Sequence, residues 1–171
     1  MTTIKVNVVD GDIAATSAHA LIAAINPGGM WFGGIDGVIS RAAGDQFHGQ
    51  AAAALRADPD VKVVVCKRLS WHYGQFVDVV FVIDDLDEPL YDVIHRGLAA
   101  ANEVGYRLVS IPAIRFGVMR SIGGTDAEKI DGIARAIRDQ EADPANGINE
   151  LSIVVYGDPD LSAQLRQRLL A

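Results

Sequence analysis

The chain has 171 residues, room for one domain rather than two of ordinary size. Half of them are hydrophobic and 22% charged, which excludes a disordered chain, and a domain this long needs no disulfide or metal staple. Fifteen Lys and Arg against 22 Asp and Glu leave a formal charge of −7, which argues against direct nucleic-acid binding and against anionic lipid surfaces.

The predicted elements alternate from end to end. Ile4–Val9 reads as a strand and Leu21–Ile25 as a short buried one. Residues 33–55 read as helical after a glycine-rich turn. Val61–Cys66 and Val77–Ile83 are the strongest strand signals, with valine, isoleucine and phenylalanine at most positions. Leu90–Glu103 carries Tyr91, Ile94, Leu98 and Ala101 on one helical stripe and stops at Gly105. Leu108–Ala113 is a strand, Asp126–Gln140 a helix with Ile130, Ile133 and Ile137 inward. Leu151–Tyr156 is a strand and Leu161–Leu170 a closing helix. Strands apolar at nearly every position are buried on both faces, so helices must cover both sides of one sheet. The expectation is a three-layer α/β/α domain, with any ligand at the carboxyl ends of its strands.

The glycines are unevenly placed. Gly28, Gly29, Gly33, Gly34 and Gly37 cluster between a strand and the head of a helix. Backbone amides at such a helix start attract anions, and residues without a Cβ let a phosphate come close. The cluster is neither a P-loop nor a G-x-G-x-x-G fingerprint: no lysine followed by serine or threonine completes it, and Trp31 and Phe32 interrupt it. The remaining alternative is an ordinary surface loop.

Asn26-Pro27-Gly28-Gly29-Met30-Trp31-Phe32-Gly33-Gly34-Ile35-Asp36-Gly37, followed by Arg41-Ala42-Ala43-Gly44, resembles the signature of the macrodomains. The resemblance extends over nearly the whole chain. Gly11-Asp12-Ile13 is similar to the family's adenine-end motif, Ile111-Pro112-Ala113-Ile114 with Gly117 to its second loop, and Tyr156 to the aromatic beside the adenine. It implies one macrodomain over residues 1–171, a three-layer α/β/α sandwich with a mixed central sheet, and ADP-ribose as the ligand with no cofactor. Implied ligand-binding residues are Asp12, Ile13, Gly28, Gly33, Gly34, Ile35, Pro112, Ala113, Arg115, Phe116, Gly117, Val118 and Tyr156. Each also has a plainer reading. Asp12 could accept from an exocyclic amine or cap a helix; Tyr156 could stack on a base or fill the core; Arg115 could meet a phosphate or be a solvated loop arginine.

In hydrolytic macrodomains the resemblance implies an asparagine and an aspartate at the distal ribose, and Asn26 and Asp36 match those positions. An amide can hold a ribose hydroxyl, and a carboxylate can orient or deprotonate the attacking water. Asp36 alternatively serves as a charge at a helix N-terminus. Five positions depart from the family pattern: Ala23 and Ser40 stand where asparagine and histidine are common, Arg115-Phe116 replaces serine-threonine, and Met119 replaces an aromatic. Asn26 and Asp36 therefore favour a hydrolase of mono-ADP-ribosyl or O-acyl-ADP-ribose linkages; Ala23, Ser40 and Met119 favour a non-catalytic reader. Partners on either reading are ADP-ribose or an ADP-ribosylated macromolecule, and no membrane.

Other signals are weaker. Lys67 resembles the strand-borne lysine of a second macrodomain branch, or is simply exposed. The four histidines show no metal-ligand spacing, so no metal is expected. Asp84-Asp85-Leu86-Asp87-Glu88 reads as a solvated run or an edge facing a basic partner rather than a divalent-cation site, and Thr125 or Ser121 as a helix cap. Cys66 reads as a core thiol. With one cysteine, no long apolar leader at the start and no 18-residue apolar run, the expected location is the cytoplasm.

Overall fold

The structure is a computed structural model that describes residues 2–29 and 34–170. Six strands form one sheet: β1 (Lys5–Asp10), β2 (Ala18–Ile25), β3 (Val63–Cys66), β4 (Phe76–Ile83), β5 (Leu108–Pro112) and β6 (Glu150–Val155). Across the sheet the order is β1-β6-β5-β2-β4-β3. Every pairing is parallel except β3 with β4, in which Val63 faces Val82 and Cys66 faces Val79. The sheet is mixed, as expected.

Period-two alternation splits the core between two faces. From β2, Ala20, Ile22 and Ala24 face one side, while Leu21, Ala23 and Ile25 face the other. The first side is covered by α3 (Leu90–Val104), α4 (Asp126–Ala142) and α5 (Pro159–Leu169), through Ile94, Leu98, Ile133, Ile137 and Leu165. The second is covered by α1 (Ile35–Ala43) and α2 (Gln46–Ala57), through Ile39, Phe47, Ala51 and Leu55. Three layers result. At Gly97 the α3 backbone approaches so closely that a Cβ would stand 2.7 Å from Cγ2 of Ile22.

The largest differences in extent are at the first long helix and at β2. The helix read over residues 33–55 is two helices, because Gly44 takes φ +64° and ends the first, its amide bonded to the Ser40 carbonyl. β2 begins three residues early. Its alanine-rich start carries little strand propensity, but it is central, pairing with β4 on one side and β5 on the other. Gly105 ends α3 in the left-handed region at φ +97°, and Thr125 caps α4 by accepting from the Glu128 amide. No helix among the described residues is long and apolar enough to cross a membrane.

Candidate functional site

The parallel strands β1, β2, β5 and β6 all deliver their carboxyl ends to one edge, and a cleft of about 660 Å³ opens there. Its walls are Gly11–Ile13 after β1, Gly34, Ile35, Val38 and Arg41 around the head of α1, residues 112–119 after β5, and Tyr156–Asp158 after β6. Strand order also sets the sequence of these loops along the cleft. Asp12 and Tyr156 follow neighbouring strands, the β5 loop comes next, and Asn26 follows β2, three strand positions from β1. At about 4.8 Å per strand that spans ~14 Å, which suits an elongated ligand.

At the β1 end, Asp12 caps a single 3₁₀ turn, Ile13–Ala15, by accepting from the Ala14 amide at 2.9 Å through Oδ1. Its side chain is exposed, so capping leaves Oδ2 for a ligand. Ile13 is buried beneath. Tyr156 is 86% exposed and belongs to no core, a flat ring at the rim.

In the β5 loop two tight turns run in succession, Phe116 donating to the Ala113 carbonyl and Arg120 to that of Gly117. The amides of Gly117, Val118 and Met119 find no acceptor among the described residues. A Cβ on Gly117 would meet nothing within 4 Å, so packing among the described residues does not require glycine there. Across the cleft, α1 starts at Gly34 with no side-chain cap, and its first-turn amides face no side-chain acceptor among the described residues. Two sets of N–H groups without a side-chain acceptor among the described residues thus flank the middle of the cleft, an arrangement that binds anions without a basic patch.

The side chain of Arg115 is not a solvated loop arginine. It is buried, donating through Nε and Nη2 to the Asp84 carboxylate at 3.0 and 2.6 Å. Asp84 therefore does not belong to the solvated run in which its sequence neighbours stand; Asp85 and Asp87 are exposed. Phe116 is also buried, so the backbone of this pair, not its side chains, is what the cleft can offer a ligand. Arg41 is not among the ligand-binding residues that the resemblance implies. It lines the cleft and folds back over Gly37, and it has no hydrogen-bond or ion-pair partner among the described residues. The stripe Ile35, Val38, Arg41, at helical spacing, was the available signal.

Asn26 is half-buried just past β2. Its Oδ1 accepts from the Gly28 amide at 3.0 Å, and Gly29 closes the turn at φ +76°. Asp36 is half-buried in the first turn of α1. Neither these two nor Gly28 is among the residues lining the cleft, and Gly33 lies outside the described residues. One turn beyond Asp36, the Ser40 hydroxyl meets Nδ1 of His48 at 3.2 Å. Burial pushes the His48 imidazole below its usual range, against the pull of Asp45 and Asp36.

The chain is 30% identical over 130 residues to the O-acetyl-ADP-ribose deacetylase of Cronobacter sakazakii, covering 67% of this chain and 68% of that one. A macro domain-containing protein of Streptomyces coelicolor is 26% identical over 168 residues, 88% of this chain and 90% of its own. This chain belongs to the macrodomain family. No family model matches it. The macrodomain of Oceanobacillus iheyensis, solved with ADP, superposes with a TM-score of 0.72 over 95% of this chain and 88% of its own, at 18% identity. The mixed sheet and three layers expected from the resemblance are the fold of this macrodomain.

Lys67 sits elsewhere. β3 runs antiparallel to β4, so its carboxyl end lies at the opposite edge of the sheet from the cleft. There the Lys67 ammonium donates to the Tyr106 hydroxyl at 2.9 Å, and Tyr106 donates to Asp78. The macrodomain's cysteine, Cys66, is fully buried nearby, and burial, helped by Asp78, pushes its thiol up to about 12. It is no nucleophile at neutral pH. No cluster of metal-ligating side chains occurs among the described residues.

Proposed function

We propose that this macrodomain binds ADP-ribose in the cleft and hydrolyses an ester-type linkage at its distal ribose, in O-acyl-ADP-ribose or in ADP-ribosylated carboxylates. The carrying observation is the order of the loops: exposed Tyr156 and Asp12 at one end, unpaired amides in the middle, Asn26 and Asp36 leading from β2. Adenine stacks on Tyr156 and gives its amino hydrogen to Asp12; the diphosphate takes the amides of residues 117–119 and of the α1 start. Asn26 then holds a hydroxyl of the distal ribose, and Asp36 orients the water. Attack of that water forms one C–O bond, breaks the C–O bond of the ester and yields ADP-ribose and a carboxylic acid that ionises to the carboxylate. The deacetylase activity named for the Cronobacter relative supports the ester class.

A second reading is a reader that binds ADP-ribosylated macromolecules without turnover. The placing of Asn26 and Asp36 off the cleft walls favours it, as do Ala23, Ser40 and Met119. A cytoplasmic location fits either. Calorimetry with ADP-ribose tests binding; no heat sinks both readings. Turnover of O-acetyl-ADP-ribose and of an ADP-ribosylated glutamate peptide separates hydrolase from reader.

A further inference from the structure

Lys129 opens the second turn of α4 and is almost completely buried, rare for a lysine. Its ammonium donates to the carbonyl of Arg115 at 2.8 Å and to that of Arg120 at 2.5 Å, and lies 5.4 Å from the centre of the Phe116 ring. The two carbonyls bracket the stretch that holds the unpaired amides of Gly117, Val118 and Met119. No other side chain reaches either carbonyl among the described residues.

The charges around Lys129 are already spoken for. Arg115 is paired with Asp84, and Arg120 bridges Asp126 and Asp158 at 2.6 and 2.7 Å. Among the described residues Lys129 makes no ion pair of its own; its bonds go to main-chain oxygens. A desolvated ammonium given only carbonyls stays buried because those carbonyls have turned toward it. Burial lowers its proton affinity, with Asp126 opposing, and Arg115 and Arg120 adding to the fall. The loop also carries backbone strain: Arg115 sits at φ +65°, a region costly to a residue with a Cβ. Bonds to both ends of the loop hold it in that conformation.

We propose that Lys129 is the positioning residue for phosphate recognition: by pinning the Arg115 and Arg120 carbonyls inward it keeps the amides of residues 117–119 presented to the cleft. The proposal rests on the ADP-ribose reading above and deepens it. It separates the ligand into two parts. The diphosphate depends on Lys129; the nucleoside, held by Asp12 and Tyr156, does not.

The test compares Lys129→Met and Lys129→Arg with the wild type, titrating ADP-ribose, ADP and adenosine by NMR, with urea unfolding alongside. Lys129→Met should weaken ADP-ribose and ADP by roughly tenfold or more and adenosine by less than about twofold, because a charge-assisted donor pair is lost only at the phosphate side. Lys129→Arg, which keeps a cationic donor, should recover part of the loss. Equal factors for ADP-ribose and adenosine, or wild-type affinity in Lys129→Met, would overturn the proposal. Should Lys129→Met fail to fold, Lys129→Gln takes its place under the same criteria. If the wild type binds no ADP-ribose, the functional reading fails on its own. The loop-pinning role then stands or falls on amide hydrogen exchange at residues 117–119, faster in the variant if Lys129 holds them and unchanged if it does not.

Discussion

The guanidinium of Arg115 clasps the carboxylate of Asp84 with two bonds, and both side chains are 1% exposed. One comes from the cleft loop after β5, the other from the residue that follows β4, whose amide also bonds the carbonyl of Ile25 at the end of β2. The pair therefore ties three strand ends together beneath the ligand site. Asp84→Asn strands a buried cation and should cost about 3 kcal/mol, seen as a lower urea midpoint. Replacing both partners, as in Asp84→Leu with Arg115→Met, should cost less than Asp84→Asn alone. A double variant less stable than the single one would show that the pair is not what holds these ends.

Gly117 tests the amide cradle. A methyl group there meets open space, and the residue is not in the left-handed region, so Gly117→Ala should leave the unfolding free energy from urea titration within about 0.5 kcal/mol of wild type. A bulkier Gly117→Val projects into the cleft and should weaken ADP-ribose by about tenfold or more. Unchanged affinity would place the diphosphate elsewhere.

At the rim, neither Tyr156 nor Arg41 has a hydrogen-bond or ion-pair partner among the described residues. Stability should not depend on Tyr156, since so exposed a ring supports no core. Tyr156→Ala should nevertheless weaken ADP-ribose by roughly tenfold, the worth of one base–aromatic stack. Arg41→Ala should weaken it by a few-fold and flatten the salt dependence of binding, because the cleft then holds no unpaired cation among the described residues.

Asp36→Ala separates the two proposed functions. On the hydrolase reading it should cut turnover of O-acetyl-ADP-ribose by about a hundredfold or more while leaving ADP-ribose affinity within a few-fold. Equal release by variant and wild type would assign the chain to the reader class.

Cys66 gives a pH prediction with a definite sign. Its thiol is protonated far above the ordinary range in the folded state, chiefly through burial, whereas the unfolded chain ionises near 9.0. The folded state holds the proton more tightly, so this contribution is complete below about pH 9 and lost as pH rises toward 12. Denaturation midpoints should fall across that window, and Cys66→Ser should lessen the fall. At pH 8 a thiol reagent should react only when denaturant is present.

Much of the architecture was legible because strands buried on both faces announce themselves. Val79–Ile83 and the β6 run could be nothing else, and helical stripes such as Ile130, Ile133 and Ile137 told which surfaces must be covered. The boundary at Gly44 was harder, since alanine-rich flanks on both sides read as one helix until a left-handed glycine ends the first. For the site, exposed positions at strand ends were readable from motif and topology: Asp12, Tyr156 and the residue-112–119 loop line one cleft. Charged residues were not. Arg115 and Asp84 are 31 residues apart, and nothing local distinguishes a buried carboxylate in an acidic run from its solvated neighbours.

A charge of −7 set the opening restriction: an anion can be held here only through local donors. The glycine cluster and the strand ends named the stretches that could supply them, because period and backbone freedom are written residue by residue. Which cations remain available is a different matter. Arg115, Arg120 and Lys129 look alike in the chain, yet two are neutralised by carboxylates and the third is spent on carbonyls, leaving Arg41 at the cleft. Partners for a long charged side chain are chosen across the fold, between segments whose distance in sequence carries no information about their distance in space. That choice belongs to the tertiary structure alone.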